Sequence, residues 1–343
     1  MIQKTQQLQL SQSPINPSPT MMALFAIFTA IVALSLAAIF IRLSERELGP
    51  FATIFNRFWI AFLVLWLLNQ SKARSQGHEK LSVPQSAYTV RDWLMLIAAG
   101  VMFWGCLALW AWSLTQTGVA NSTILHNLTP LFTTLGVWLI FGQRFDSQFL
   151  IGLMMAMVGA TALGLGDLQV ATDNFAGDIA AFLSALFSAA NLMLIEKLRA
   201  KWDATTIIMW CCLVGLVVTF PVVLLTEDRL FPISGSGWLS VIGLAIVCQV
   251  VGQGLQAYSL KRLSSGLVGV FLLLDPLLAA LVAWVLFSEH LSLFNGFAFA
   301  VVLLGIYVAK SSQYASELMA NDSQPALCVA AGKQLPHLPQ ITP

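Results

Sequence analysis

The 343-residue chain is 58% hydrophobic and 10% charged, with a net charge of +1 and a mean hydropathy of +0.80. Soluble globular domains carry about 25% charged residues, so this composition excludes one, and so balanced a charge offers no clustered Lys and Arg for nucleic acid. The five cysteines, Cys106, Cys211, Cys212, Cys248 and Cys328, show neither disulfide nor metal spacing and read as small apolar residues.

Residues 1–20 are rich in Gln, Ser and Pro and predict a disordered cytoplasmic lead. Ten apolar runs follow, near 21–41, 51–68, 93–112, 119–141, 148–166, 177–195, 205–226, 237–258, 266–287 and 291–309. A bilayer core of about 30 Å needs roughly 20 residues of helix per crossing, so each run predicts one membrane span. Internal Gly and Pro do not oppose this, since neighbouring helices satisfy the freed backbone groups. From 310 to 343 the chain turns polar and predicts a flexible tail.

Lys and Arg set the expected orientation. Of the 17 such residues, only Arg42, Arg46 and Arg229 fall in one set of alternate loops, and Arg57 lies within the second run. The rest, from Lys4 and Lys72 through Arg199 and Lys261 to Lys333, fall on the other side. That bias predicts both termini in the cytoplasm and a multi-pass protein of the cytoplasmic membrane.

The stretch from Ala111 to Phe141 occurs twice, the second copy starting at Ala257 with a constant offset of 146. The offset pairs Pro130 with Pro276, Leu135 with Leu281, Trp138 with Trp284, Phe141 with Phe287 and Gly159 with Gly305. Shared leucines would mean little in so apolar a chain, but a mid-run proline, a tryptophan and a phenylalanine in register mean a repeat. Five spans per repeat is an odd number, so the second half must enter the membrane from the opposite side. The predicted fold is therefore an all-α integral membrane protein of ten transmembrane helices, arranged as two inverted five-helix repeats, 21–166 and 177–309. Inverted repeats are the plan of many secondary transporters.

Two segments carry a family resemblance: LTPLFTTLGVWLIFGQRF followed by Gly152 and Gly159, and LDPLLAALVAWVLFSEHL followed by Gly296 and Gly305. With Arg57 early in the second run, they resemble the drug/metabolite transporter superfamily, in its ten-helix form with two EamA domains. The resemblance covers residues 21–310 and implies a carrier, most commonly an exporter of amino acids or related metabolites. It departs from the family pattern at Gln143, where the second half has Glu289.

Candidate site residues follow from polarity inside the spans. Arg57 stands about 9 Å into the second run, where a charge must face the protein interior, a wet cavity or snorkel outward. Asp275, before Pro276, is an intramembrane carboxylate whose twin is Thr129. It predicts a proton-coupling group, a contact for a cationic substrate, the partner of Arg57, or a cap for backbone opened by the proline. In the fourth run Thr123, His126, Asn127, Thr129, Pro130, Thr133 and Thr134 share about 160° of arc, which predicts either a cavity wall or interhelical hydrogen bonding. Gln249, Gln253 and Gln256 share a face of the eighth run, and Asn191 is a further polar candidate in the sixth. Pro130 and Pro276 predict matched kinks that serve as hinges. Most of the 11 Trp fit the interfacial belt, with Trp104 the one expected on a cavity wall.

The functional expectation is a secondary transporter, moving a small polar or amphipathic metabolite by alternating access. No nucleotide-binding fingerprint is present, so the gradient of the cargo or coupled protons supplies the energy. No cofactor, metal or nucleic-acid partner is expected, only cargo and the lipid bilayer. The competing expectation is a non-transporting membrane protein, an intramembrane enzyme or an assembly subunit. Against the enzyme stand the lack of HExxH, of paired Asp on one helix and of Ser with a nearby His.

Overall fold

A computed structural model describes residues 19–75, 89–165, 175–287, 293–312 and 314–315. Residues 1–18 of the expected lead and most of the tail, together with Glu289 and Cys328, lie outside the described residues. Among those residues the chain is helical throughout, and eight helices are long and apolar enough to cross a membrane, with two shorter apolar ones beside them. It is a multi-pass membrane protein.

The ten helices are α1 (Pro19–Ser44), α2 (Pro50–Ser75), α3 (Val90–Gln116), α4 (Val119–His126 and Thr129–Phe141) and α5 (Ser147–Leu165). The second half repeats them as α6 (Phe175–Leu198), α7 (Ala204–Thr226), α8 (Gly235–Ser259), α9 (Ser265–Leu272 and Leu274–Phe287) and α10 (Leu293–Lys310). Local chemistry sets the ends. Thr89 and Asp92 form a reciprocal capping box at α3, and the hydroxyls of Ser234 and Ser264 accept from Gly237 N and Leu267 N at the starts of α8 and α9. Gly142 ends α4 at φ 66°, a left-handed conformation that favours glycine.

Packing obeys the inverted symmetry. α3 lies on α6 and on α7, and their twins repeat this as α8 on α1 and α8 on α2. α4 packs on α6 as α9 packs on α1, while α2 with α7 and α5 with α10 each join an element to its own twin. In the last pair the backbones nearly touch: a Cβ added at Gly152 would stand 2.6 Å from Gly305 O, and one at Gly305 would stand 2.7 Å from Gly152 O. Such close approach needs small residues, and it draws helices together where no hydrophobic force acts between them in lipid.

The two ends of the bundle differ in charge. At the basic end Lys201 pairs with Asp92 at 2.8 Å and Lys72 with Asp203 at 3.4 Å, while Arg199 donates to Ala257 O at 2.9 Å. At the opposite end carboxylates cap helices across the repeat. Glu227 accepts from Phe51 N at 2.7 Å and Ala52 N at 3.1 Å, and Glu47 accepts from Ile233 N and Ser234 N, both at 3.1 Å. Burial pushes the Glu227 carboxyl up, against those two amides.

Three helices break near mid-depth. α1 turns at Leu36, α4 at Asn127–Leu128 and α9 at Leu273. The matched prolines stand just after the last two breaks, opening each second segment. There the fixed φ favours the helix, and what the missing N–H leaves without its donor is the carbonyl four residues back. A fourth irregularity had no sequence signal: Leu244–Gln253 of α8 is a π-helix, a wider turn that often marks functional sites.

Candidate functional site

The three breaks surround one chamber of about 230 Å³. Broken helices at membrane depth are tolerated only where they are buried in protein or line a wet cavity. Leu34, Ser35 and Ala37 flank the chamber at the α1 break, His126, Asn127 and Pro130 at the α4 break, and Leu273, Asp275 and Pro276 at the α9 break. Arg57 of α2, Asn191 of α6 and Gln253 and Gln256 of α8 complete its polar wall. Thr123, Trp104 and Gln249 are not among the residues lining it. Trp104 packs against the core, and Gln249 is fully buried behind Arg57.

The repeat twins Thr129 and Asp275 meet the same problem in different ways. Pro130 lacks an N–H and so cannot bond the carbonyl of His126, four residues back. Thr129 supplies the substitute, its hydroxyl donating to His126 O at 2.8 Å. At the twin position the freed carbonyl is that of Leu272. An ionised Asp275 only accepts hydrogen bonds, and its Oδ1 is buried with no partner.

Arg57 is 4% exposed, and its Nε donates to Gln249 Oε1 at 2.7 Å. Among the described residues no carboxylate forms an ion pair with Arg57 and no cation forms one with Asp275. A guanidinium and a carboxylate, both uncompensated, thus open on one chamber. Unpaired buried charges are costly, which makes both candidates for a ligand contact.

His126 Nδ1 lies 2.8 Å from Ser184 Oγ, whose own proton goes to Ala181 O at 2.7 Å. His126 must therefore donate through Nδ1, leaving Nε2 as an acceptor in the neutral ring. The Trp110 ring stands 5.6 Å from this imidazole, and its Nε1 and Asn127 Nδ2 are both buried without partners. Asn191, by contrast, spends its amide on Ala99 O at 2.9 Å and ties α6 to α3. The tryptophan of α3 that lines the chamber is Trp110, not the expected Trp104. Phe103, Cys106, Leu107 and Trp110 follow the spacing of one helix face and all line the chamber, whereas Trp104 stands one residue off that face.

The chamber is covered at the basic end. There the first segment of α9 lies on the second segment of α4, with Gly269 so close that an added Cβ would stand 3.3 Å from Pro130 Cα. Ser265 to Val270 are all buried, whereas among the twins Asn121, Ser122, Thr123 and Ile124 of α4 only Ser122 is. Outside the span, the Tyr314 hydroxyl donates to Gln143 Oε1 at 2.8 Å and sits 2.8 Å from Ser264 Oγ. Burial pushes the phenol up to about 12, so it stays a donor at any physiological pH.

Both halves of this architecture, residues 21–165 and 175–310, match the EamA-like transporter family. The chain belongs to that family. Among relatives of this EamA-like transporter, an "Uncharacterized transporter" of Archaeoglobus fulgidus is 23% identical over 285 residues, 80% of this chain and 93% of the relative. The "Pseudopaline exporter CntI" of Pseudomonas aeruginosa is 22% identical over 272 residues, 79% of this chain and 88% of that one. A solved crystal structure aligns with a TM-score of 0.71 at 20% identity, over 84% of this chain and 96% of its own, and shows the same fold.

Proposed function

We propose that this EamA-like transporter is an alternating-access exporter of a small zwitterionic metabolite, an amino acid or a related compound. The observation that carries the reading is the pair of uncompensated charges on one chamber. Arg57 would take the carboxylate of the cargo and Asp275 its ammonium group, with Trp110, His126 and Asn127 facing the remainder. The name of the Pseudomonas relative, an exporter, agrees with the direction. The bias of Lys and Arg supports placing the basic end and both termini in the cytoplasm, so that the chamber, covered at that end, faces outward.

Coupling to protons is part of the proposal. A protonated Asp275 gains a donor and can cap Leu272 O just as Thr129 caps His126 O; an ionised one can hold the cargo's ammonium group instead. Proton and cargo then compete for one carboxylate, which is what exchange requires. The prolines at the α4 and α9 breaks act as hinges between the covered and open forms.

The test uses purified protein in liposomes loaded with an equimolar mixture of the twenty common amino acids, with release followed by mass spectrometry. Selective release of one or a few is expected, with Arg57→Gln and Asp275→Asn each slowing it by about tenfold or more while the protein remains folded. Release no faster than from empty liposomes, or unaltered in both variants, would overturn the reading.

A further inference from the structure

Resting on the reading of Arg57 as the cargo's carboxylate contact, we infer that Gln249 is a positioning residue whose neutrality keeps the Arg57 guanidinium open for an anionic group from the chamber. Gln249 is fully buried and does not line the chamber. Its carbonyl oxygen accepts from Arg57 Nε at 2.7 Å, and its amide nitrogen stands 3.5 Å from Cys212 Sγ. Arginine has no acceptor, so the amide's orientation is fixed: oxygen toward Arg57, nitrogen toward the thiol.

That arrangement occupies Nε; no hydrogen bond to a described residue is seen at the two terminal nitrogens, and Arg57 lines the chamber, so these nitrogens are assigned to it. These are the atoms that grip a carboxylate with two parallel bonds. The titratable groups around Arg57, on three different helices, are the thiols of Cys106, Cys212 and Cys248, which are weak hydrogen-bond partners and uncharged when buried. A buried arginine normally has a carboxylate beside it. Here the groups in contact with it are neutral, and Asp275, on the same chamber, makes no ion pair with it, so the compensating charge has to arrive with a ligand. A glutamate at 249 would be the ordinary solution, and it would close the site from behind.

The position of Gln249 is also local to one repeat. Its twin by the offset of 146 is Phe103, on the regular α-helix α3. The glutamine sits inside the π-helical stretch Leu244–Gln253, so the wider turn and the amide occur together where Arg57 is met.

The experiment compares the full-length protein with Gln249→Glu and Gln249→Met, the latter similar in volume but uncharged and unable to accept strongly. Arginine modification by 2,3-butanedione is followed at Arg57 by mass spectrometry, with the loop arginines as internal standards. Wild type and Gln249→Met should react at Arg57, and Gln249→Glu should react about tenfold more slowly because its carboxylate occupies the guanidinium. In liposomes loaded with the same amino-acid mixture, Gln249→Glu should slow release by about tenfold at low load and much less at saturating load, a defect in binding. Gln249→Met should lose less than Gln249→Glu in that assay. An unreactive Arg57 in the wild type, or a Glu variant that reacts and transports as the wild type does, overturns the inference. Equal loss in the Met and Glu variants overturns it too, by reducing Gln249 to a structural prop. If instead Arg57→Gln transports normally, the carboxylate-binding reading falls, while the butanedione result still decides whether Gln249 leaves Arg57 unpaired.

Discussion

The hydroxyl of Tyr314 donates to Gln143 Oε1 at 2.8 Å, joining the segment after α10 to the loop between α4 and α5. The same oxygen is 2.8 Å from Ser264, the residue that caps α9. One side chain therefore pins together the ends of the two helices that cover the chamber, with the Phe145 ring 4.5 Å from the Tyr314 ring completing the contact. Removing the hydroxyl in Tyr314→Phe keeps the ring contacts and deletes the bonds, a loss of about 1 kcal/mol or about fivefold in the closed population. Amide hydrogen exchange should speed up across Ser264 to Val270 by that factor and stay unaltered in α5 and α10. Unaltered exchange at the start of α9 would show that the cover is held by packing alone.

A second clamp acts at the opposite end and carries a pH signature. Glu47 accepts from the Ser234 hydroxyl and from the amides of Ile233 and Ser234, and these bonds hold its carboxyl below the ordinary 4.5. Because the folded value lies below the unfolded one, its stabilisation is complete above about pH 4.5 and is lost as pH falls through the lower folded value. Glu47→Gln should lower the melting temperature at neutral pH, and the difference from wild type should shrink on acidification below 4.5. A difference that is constant with pH would mean the carboxylate charge contributes nothing.

The α5–α10 seam makes a prediction of packing. Even one methyl at Gly152 meets the backbone of α10 at Gly305 O and Ala309, where no side chain can swing aside. Gly152→Ala should destabilise by about 1–3 kcal/mol. Gly254 is the control, since a Cβ there meets nothing within 4 Å. The two variants melting together in detergent would refute the tight seam.

Much of this was legible in the sequence because it is carried by local chemistry. Pro130 and Pro276 lack an N–H wherever they stand, so their register announced matched interruptions, and α4 and α9 break beside them. The face shared by Gln249, Gln253 and Gln256 was also readable, but periodicity does not say what a face meets. Gln253 and Gln256 line the chamber, and Gln249 turns to Arg57. The π-helical turn between them leaves no mark in a run of Leu, Val and Ile. The expectation of Trp104 on the cavity wall, where Trp110 stands instead, goes astray for a similar reason. Both are large aromatic residues on one long helix, and only the packing of α3 on α6 and α7 decides which looks inward.

The contrast between Thr129 and Asp275 gives the sharpest prediction about coupling. Asp275→Thr installs the solution already used by the first repeat, with a hydroxyl donating permanently to Leu272 O as Thr129 donates to His126 O. Such a bond contributes about 1 kcal/mol, and it removes an uncompensated carboxyl, so the variant should melt at or above the wild-type temperature. Its transport should suffer in the opposite sense. With no carboxylate to exchange proton for cargo, a pH gradient across the liposome should no longer drive release. Asp275→Asn, which can donate to Leu272 O but stays neutral, should behave alike in the gradient assay. His126 and Arg57, the other ionisable groups on the chamber, are retained in both variants, so any remaining pH dependence reports on them. A variant that keeps full gradient-driven release would take Asp275 out of the coupling step and leave it as a backbone cap.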